Sequence, residues 1–247
     1  MEYNKIVENI IDSVRPLQGQ GKQADYIPAL ANVNPDQMGI CIETIGGAAY
    51  TYEKADTRFS IQSISKVFAL AMAFSIEGEG LWERMGREPS GTAFNSLVQL
   101  EIEQGKPRNP FINAGAIVMT DILCERLKDP EGFFLQFVRN MSGSNTINYN
   151  HAVAESEREQ GYLNAAIINL LKYHGNIKGD IERVLRFYFL MCSVEMSCRE
   201  LAHAFLPFAD HTKPFDYTDV YLTRSQVKRI NAIMQTCGFY DEAGDFS

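Results

Sequence analysis

The sequence predicts an α+β protein in which one β-hairpin precedes a mainly helical block. Three observations predict it. Beyond residue 60, apolar residues recur about every 3.6 positions through most segments. Met38 to Thr44 and Ala48 to Tyr52 are instead short apolar, β-branched and aromatic runs that meet at Gly46-Gly47. After that hairpin nothing reads clearly as a strand, and no repeat or low-complexity tract interrupts the pattern.

The elements follow in chain order. Over residues 5–14, Ile6, Ile10, Ile11 and Val14 form a helical stripe that Pro16 closes, and GQGKQ at 18–22 is a flexible connector. After the hairpin, Ile61 to Ile76 contains no Gly or Pro and ends at Gly78 and Gly80. Phe111 to Leu127 opens on the small-residue patch Asn113-Ala114-Gly115-Ala116 and continues as an apolar run. Helical spacing returns over Phe133 to Met141, Asn164 to Tyr173, Ile181 to Met191, Arg199 to Phe208 and Ser225 to Cys237. Arg87 to Gly91 and Lys106 to Pro110 read as loops.

Composition narrows the partners. The chain has 247 residues, 45% apolar and 22% charged, which is long and apolar enough for a packed core and excludes disorder. With 23 Lys and Arg against 31 Asp and Glu, the net charge of -8 excludes a phosphate-neutralising face, so no nucleic-acid partner is expected. No stretch reaches the roughly 18 apolar residues of a membrane span, so no membrane partner is expected. The start, MEYNKIVENIIDSVRPL, mixes acids with apolar residues and reads as a structural helix rather than a secretory leader. The five Cys include no CxxC pair and are expected as reduced thiols. A cytoplasmic protein is the expectation.

The most informative helix is IQSISKVFALAMAFSI, in which Lys66 is the only charge. A helix apolar on nearly every side lies at the centre of a domain, where an idle ammonium is expensive. Ser63 precedes Lys66 by three residues, within reach on one face and near the helix start, where free N–H groups favour developing negative charge. This is what a Ser–Lys nucleophile requires. An unperturbed lysine is neutral in only about four molecules in ten thousand at pH 7, and desolvation is what turns such an amine into a general base. The bare S-x-x-K pattern is weak, since Ser225-Gln-Val-Lys228 repeats it beside Arg224 and Arg229 as a solvated helix start with a capping Thr or Ser. Burial separates the two copies.

Other residues have bland readings by spacing alone. His151, His174, His203 and His211 show no metal-ligand spacing and no pairing pattern with Cys or carboxylates, and no phosphate-cradling or calcium loop occurs, so no metal is expected. Glu157 reads as a solvated acid, Asn113 as a helix cap and Asn164 as the N-cap of the helix it opens. Tyr26, Tyr188 and Tyr240 read as amphipathic packing residues.

Taken together, seven segments carry a resemblance: DYIPALA at 25–31, FSIQSISKVF at 59–68, EPSGTAFNSLVQLE at 88–101, NPFINAGAIV at 109–118, SEREQGYLNAAI at 156–167, FYFLMCSVEMSC at 187–198 and TCGFYDEAG at 236–244. The set resembles the bacterial serine-dependent glutaminases, in family order over nearly the whole chain. The resemblance implies hydrolysis of L-glutamine to L-glutamate and ammonia, without cofactor, on the β-lactamase/DD-peptidase-like fold of serine β-lactamases and penicillin-binding transpeptidases. It implies Ser63 as nucleophile, Lys66 as its general base, and Tyr26 and Tyr240 as active-site tyrosines, Tyr240 near the serine hydroxyl. It implies Asn113, Glu157, Asn164, Tyr188 and Tyr240, with Ser63, as the glutamine-binding set. Backbone N–H groups, one from Ser63, would hold the oxyanion. Family members resemble homodimers or homotetramers.

On that resemblance residues 1–247 form a single domain, with helix and hairpin over 1–55 and the mainly helical part over 56–247. The family's further C-terminal strands, one of which supplies a second oxyanion donor, are expected to lie beyond Ser247. The corresponding expectation is that these 247 residues alone are inactive or nearly so. Two other readings stand beside glutaminase: a penicillin-recognising Ser–Lys acylase, and an inactive amino-acid-binding or oligomerising fragment.

Overall fold

The computed structural model describes residues 2–242 and 244; the expected C-terminal break after DEAGDFS lies outside the described residues. The hairpin is present as antiparallel strands Gly39–Glu43 and Ala49–Glu53, in register from Gly39 opposite Glu53 to Glu43 opposite Ala49. Its turn closes through Gly47 N–H to Thr44 O at 2.8 Å, with Gly47 at φ +84°, a conformation that favours glycine. The helix Tyr3–Val14 covers one strand, stacking Tyr3 on Tyr50 at 5.0 Å between ring centroids. Its buried residues are Val7 and Ile11, flanked by the half-buried Ile6 and Val14, so of the expected stripe only Ile10 is exposed. The helix Cys198–Ala209 packs against the hairpin strand Gly39–Glu43. It brings His203 Nδ1 to 2.8 Å from Glu43 Oε1, a carboxylate partner 160 residues away that no local pattern reveals.

At the centre lies the helix Ser65–Glu77, in which every residue from Ser65 to Phe74 is buried. It packs against the helices Asn113–Arg126, Ile181–Cys192 and Arg224–Cys237. The expected single helix from Ile61 is corrected here. Gln62–Ile64 is a separate 3-10 turn, and the α-helix begins only at Ser65. Gln62 has φ +48°, outside the right-handed helical region, so regular helix cannot pass through it. Ser63 therefore sits on the turn before the helix and Lys66 within its first turn.

A second correction concerns strands. Phe59–Ser60, Val194–Met196 and Asn148–Tyr149 form a three-stranded antiparallel sheet with Val194–Met196 in the middle. Phe215–Tyr217 and Val220–Leu222 form a further hairpin. Its central residues Thr218 and Asp219 both have positive φ, +48° and +60°, the backbone of a primed turn without the glycine that would announce it. Strands of two or three residues are too short to show a period.

Further helices, Pro130–Ser142, His151–Gln160 and Tyr162–Tyr173, belong to the block, and the shorter Leu97–Ile102 packs on the last of them. Asn164 is the third residue of its helix rather than its N-cap, and Asn113 is the first residue of a helix whose N-cap is Ile112. The second S-x-x-K copy follows its expectation. Thr223 caps the Arg224–Cys237 helix in a reciprocal pair with Gln226, and Ser225 and Lys228 are exposed. Among the described residues no helix is long and apolar enough to cross a membrane.

Candidate active site

A cavity of about 500 Å³ opens where the Gln62–Ile64 turn, the starts of the Asn113–Arg126 and Tyr162–Tyr173 helices and the end of the Ile181–Cys192 helix converge. Tyr26, Ser63, Asn113, Glu157, Asn164, Tyr188 and Tyr240 all line it. These seven come from positions spread across more than two hundred residues of chain, and the fold brings them to one place. Lys66 lies behind the lining.

Lys66 is 1% exposed. Its Nζ donates to Phe111 O and to Asn113 Oδ1, each at 2.9 Å, and no carboxylate forms an ion pair with it among the described residues. Phe94 and Tyr240 close over the amine, their ring centroids 5.9 and 5.5 Å from Nζ and 5.0 Å from each other. Two of the three ammonium hydrogens are thereby committed to neutral oxygens. Among the described residues no hydrogen bond joins Ser63 to Lys66, and the Ser63 hydroxyl has no other hydrogen-bond partner.

The acid in the cavity is Glu157, on the buried face of the His151–Gln160 helix and 7% exposed. It is therefore not the solvated residue its polar neighbours suggest. Glu155, Arg158 and Glu159 of the same segment are exposed, while Val153, Ala154, Ser156 and Glu157 face inward. Burial raises the Glu157 carboxyl above the ordinary glutamate range, and the Tyr26 hydroxyl and the Lys66 charge work against that rise. Tyr26 reaches in from the segment before the hairpin, its ring exposed and its hydroxyl 3.0 Å from Glu157 Oε1. Desolvation, then Glu157, pushes the Tyr26 phenol up. Tyr188 is 4% exposed, and its phenol is raised above all by burial.

The two amides form a directed pair. Asn113 Nδ2 donates to Asn164 Oδ1 at 2.9 Å, and Asn113 N–H donates to Phe94 O at 2.9 Å. Asn109 Oδ1 accepts from the N–H groups of Phe111 and Ile112 at 2.9 and 3.1 Å, fixing the turn that delivers Phe111 O to Lys66. Other lining residues, among them Gln62, Phe94, Asn95 and Cys192, carried no sequence signal of their own. Positive φ, found at the lining residues Gln62 and Tyr240, marks strained backbone that is invisible in a sequence.

The fold is β-lactamase-like, and the comparisons with known proteins identify its class as amidohydrolase. Over residues 21–247 the chain matches the glutaminase family profile, and it belongs to the glutaminase family. It is 49% identical over 247 residues to the glutaminase of Christiangramia forsetii, covering 100% of this chain and 81% of that relative. It is also 49% identical over 245 residues to glutaminase 2 of Escherichia coli K12, covering 99% of this chain and 80% of the relative. The crystal structure of the probable glutaminase ybaS superposes with a TM-score of 0.87 at 30% identity, over 98% of this chain and 79% of that one. A structure described as Mglu in its glutamate form superposes with a TM-score of 0.85 at 26% identity, over 96% of this chain and 55% of that one.

Proposed function

We propose that this glutaminase hydrolyses L-glutamine through a glutamyl ester on Ser63. Ser63 Oγ attacks the side-chain amide carbon while the Lys66 amine accepts its proton. The tetrahedral intermediate collapses as Lys66 returns that proton to the leaving nitrogen, releasing ammonia. Water then attacks the ester, again with Lys66 as the base, and L-glutamate leaves. The observation that carries this reading is the buried Lys66 amine. Phe111 O and Asn113 Oδ1 occupy two of its hydrogens, so one position is left to exchange a proton, three residues from a serine that lines the cavity. Nucleophile and base are often loosely spaced in an active site until substrate draws them together.

Substrate recognition follows from charge. Glu157, held by Tyr26, is the partner for the α-ammonium group, and the N–H groups of the Asn113–Asn164 pair suit the α-carboxylate. Tyr188 walls the cavity and Tyr240 covers Lys66. The oxyanion would find the N–H of Ser63 on its turn. The test is ammonia release at millimolar L-glutamine together with acid-quenched mass spectrometry of the Ser63 peptide. A glutamyl ester that appears with substrate and is lost in Ser63→Ala is expected, and unchanged turnover in Ser63→Ala refutes the reading.

A homodimer or homotetramer follows from the family resemblance. The exposed Val98 and Ile102 on one helix and Tyr162 and Tyr173 on its neighbour support it as apolar surface to cover. Cytoplasmic location is supported by five cysteines without a CxxC pair and by an N-terminal stretch that reads as a structural helix.

A further inference from the structure

A protonated lysine has three donors and no acceptor, so the atom of Asn113 that faces the Lys66 ammonium is its oxygen. Asn113 then has only N–H to offer, and its Nδ2 faces Asn164. Asn164 must answer with its own oxygen. Its Nδ2 group is left without a partner among the described residues, on a residue that lines the cavity. The polarity of both amides is thus set from one end, by an ammonium that never reaches the cavity lining.

We propose that Lys66 is, besides the general base, a positioning residue for substrate recognition: through Asn113 it turns Asn164 so that this amide pair shows the cavity an N–H donor rather than a carbonyl acceptor. The ligand group this selects is the free α-carboxylate of an amino acid, against an α-carboxamide of the same shape. The inference rests on the reading of the cavity as an amino-acid site. The orientation survives the chemical step, because a neutral amine keeps two hydrogens for Phe111 O and Asn113 Oδ1. Recognition and proton transfer therefore share one lysine without interfering.

The experiment compares the binding of L-glutamate with that of its α-carboxamide, isoglutamine, by calorimetry on the whole protein. Isoglutamine lacks the reactive side-chain amide, so turnover does not intrude. The parent protein and Ser63→Ala are expected to prefer L-glutamate to the same degree. In Lys66→Met, Asn113 is free to turn over, and the preference is expected to fall about tenfold although the lysine touches no ligand atom. Asn113→Asp is the second variant. It keeps an acceptor for Lys66 but offers only an oxygen to Asn164, whose amide must then reverse and show its carbonyl to the cavity, inverting the preference towards isoglutamine. An unchanged preference in both variants overturns the proposal, as does an equal loss of affinity for both ligands in both. Ammonia release by Ser63→Ala tests the catalytic reading separately.

Discussion

The hydroxyl of Tyr26 lies 3.0 Å from Oε1 of Glu157, joining the loop before the hairpin to a helix 131 residues further on. It is the hydrogen bond that opposes the cost of burying this acid. Removing it in Tyr26→Phe takes away a contact that favours the ionised carboxylate, so the Glu157 carboxyl moves further upward. With ionised Glu157 as the proposed partner of the substrate ammonium, the acid limb of kcat/KM is expected to shift to higher pH in this variant. A pH profile with the parent's acid limb would place the ammonium elsewhere.

Glu157 also sets stability against function. Its folded carboxyl is raised above the ordinary value of 4.5, so its contribution to stability is full below that value and is lost as pH rises through the folded one. At neutral pH the ionised, buried carboxylate therefore costs stability. Glu157→Gln removes that cost and keeps an acceptor for Tyr26. Its Tm is expected to exceed the parent's at pH 8, by about 2–4 °C for each kcal/mol recovered, with the gain vanishing towards pH 4. Affinity for L-glutamate is expected to fall by about 10–100-fold, the loss of one charged hydrogen bond. Thermal melts and calorimetry on the same samples check both halves.

The backbone beneath Lys66 depends on a glycine. A Cβ on Gly115 would fall 2.0 Å from Asn109 O and 2.8 Å from Pro110 Cα, both backbone atoms that cannot step aside. Those residues lead directly into Phe111, whose carbonyl takes a Lys66 hydrogen. Gly115→Ala is expected to cost about 1–3 kcal/mol in denaturant unfolding. Activity of the fraction that remains folded is expected to fall as well, because Phe111 O must move.

How much of this was legible differs residue by residue. Burial of Lys66 was readable, because one charge stands in a run with no polar side of its own. The first hairpin was readable from two runs and a Gly-Gly turn. Glu157 was not, since its segment is polar on the page and its inward turn depends on partners far away in sequence, Tyr26 among them. The break at Gln62 was not readable either, because a glutamine carries no mark of positive φ. Nor were the short strands, whose pairing comes from tertiary packing rather than from period. Asn113, Asn164 and the tyrosines became candidates only through the family resemblance.

Asp121 anchors the helix that begins at Asn113. It is fully buried and accepts from Arg84 and from the backbone N–H groups of Lys178 and Gly179, at 3.1 and 2.8 Å for the latter two. Asp121→Ala would leave a largely buried guanidinium and two backbone donors without this acceptor. The expected loss is about 3–5 kcal/mol, visible as a lower urea midpoint. Asp121→Asn keeps one acceptor oxygen and is expected to lose less. A change within 0.5 kcal/mol (roughly the scatter at surface sites) would show that the pair contributes nothing.

The cysteines offer a probe of whether the cavity opens. Burial pushes the Cys192 thiol up to about 12 and the Cys124 thiol up to about 11. At pH 8 only about one Cys192 in ten thousand is then a thiolate, against about a quarter of ordinary thiols, and the thiolate is the nucleophile. Cys41 and Cys198 are partly exposed and their upward shifts are smaller. Iodoacetamide at pH 8 is therefore expected to alkylate Cys41 and Cys198 in the native protein and to reach Cys124 and Cys192 only after unfolding, as peptide mass spectrometry would record. Cys192 lines the cavity, so labelling it as fast as Cys41 would mean that the wall beside Tyr188 opens to water.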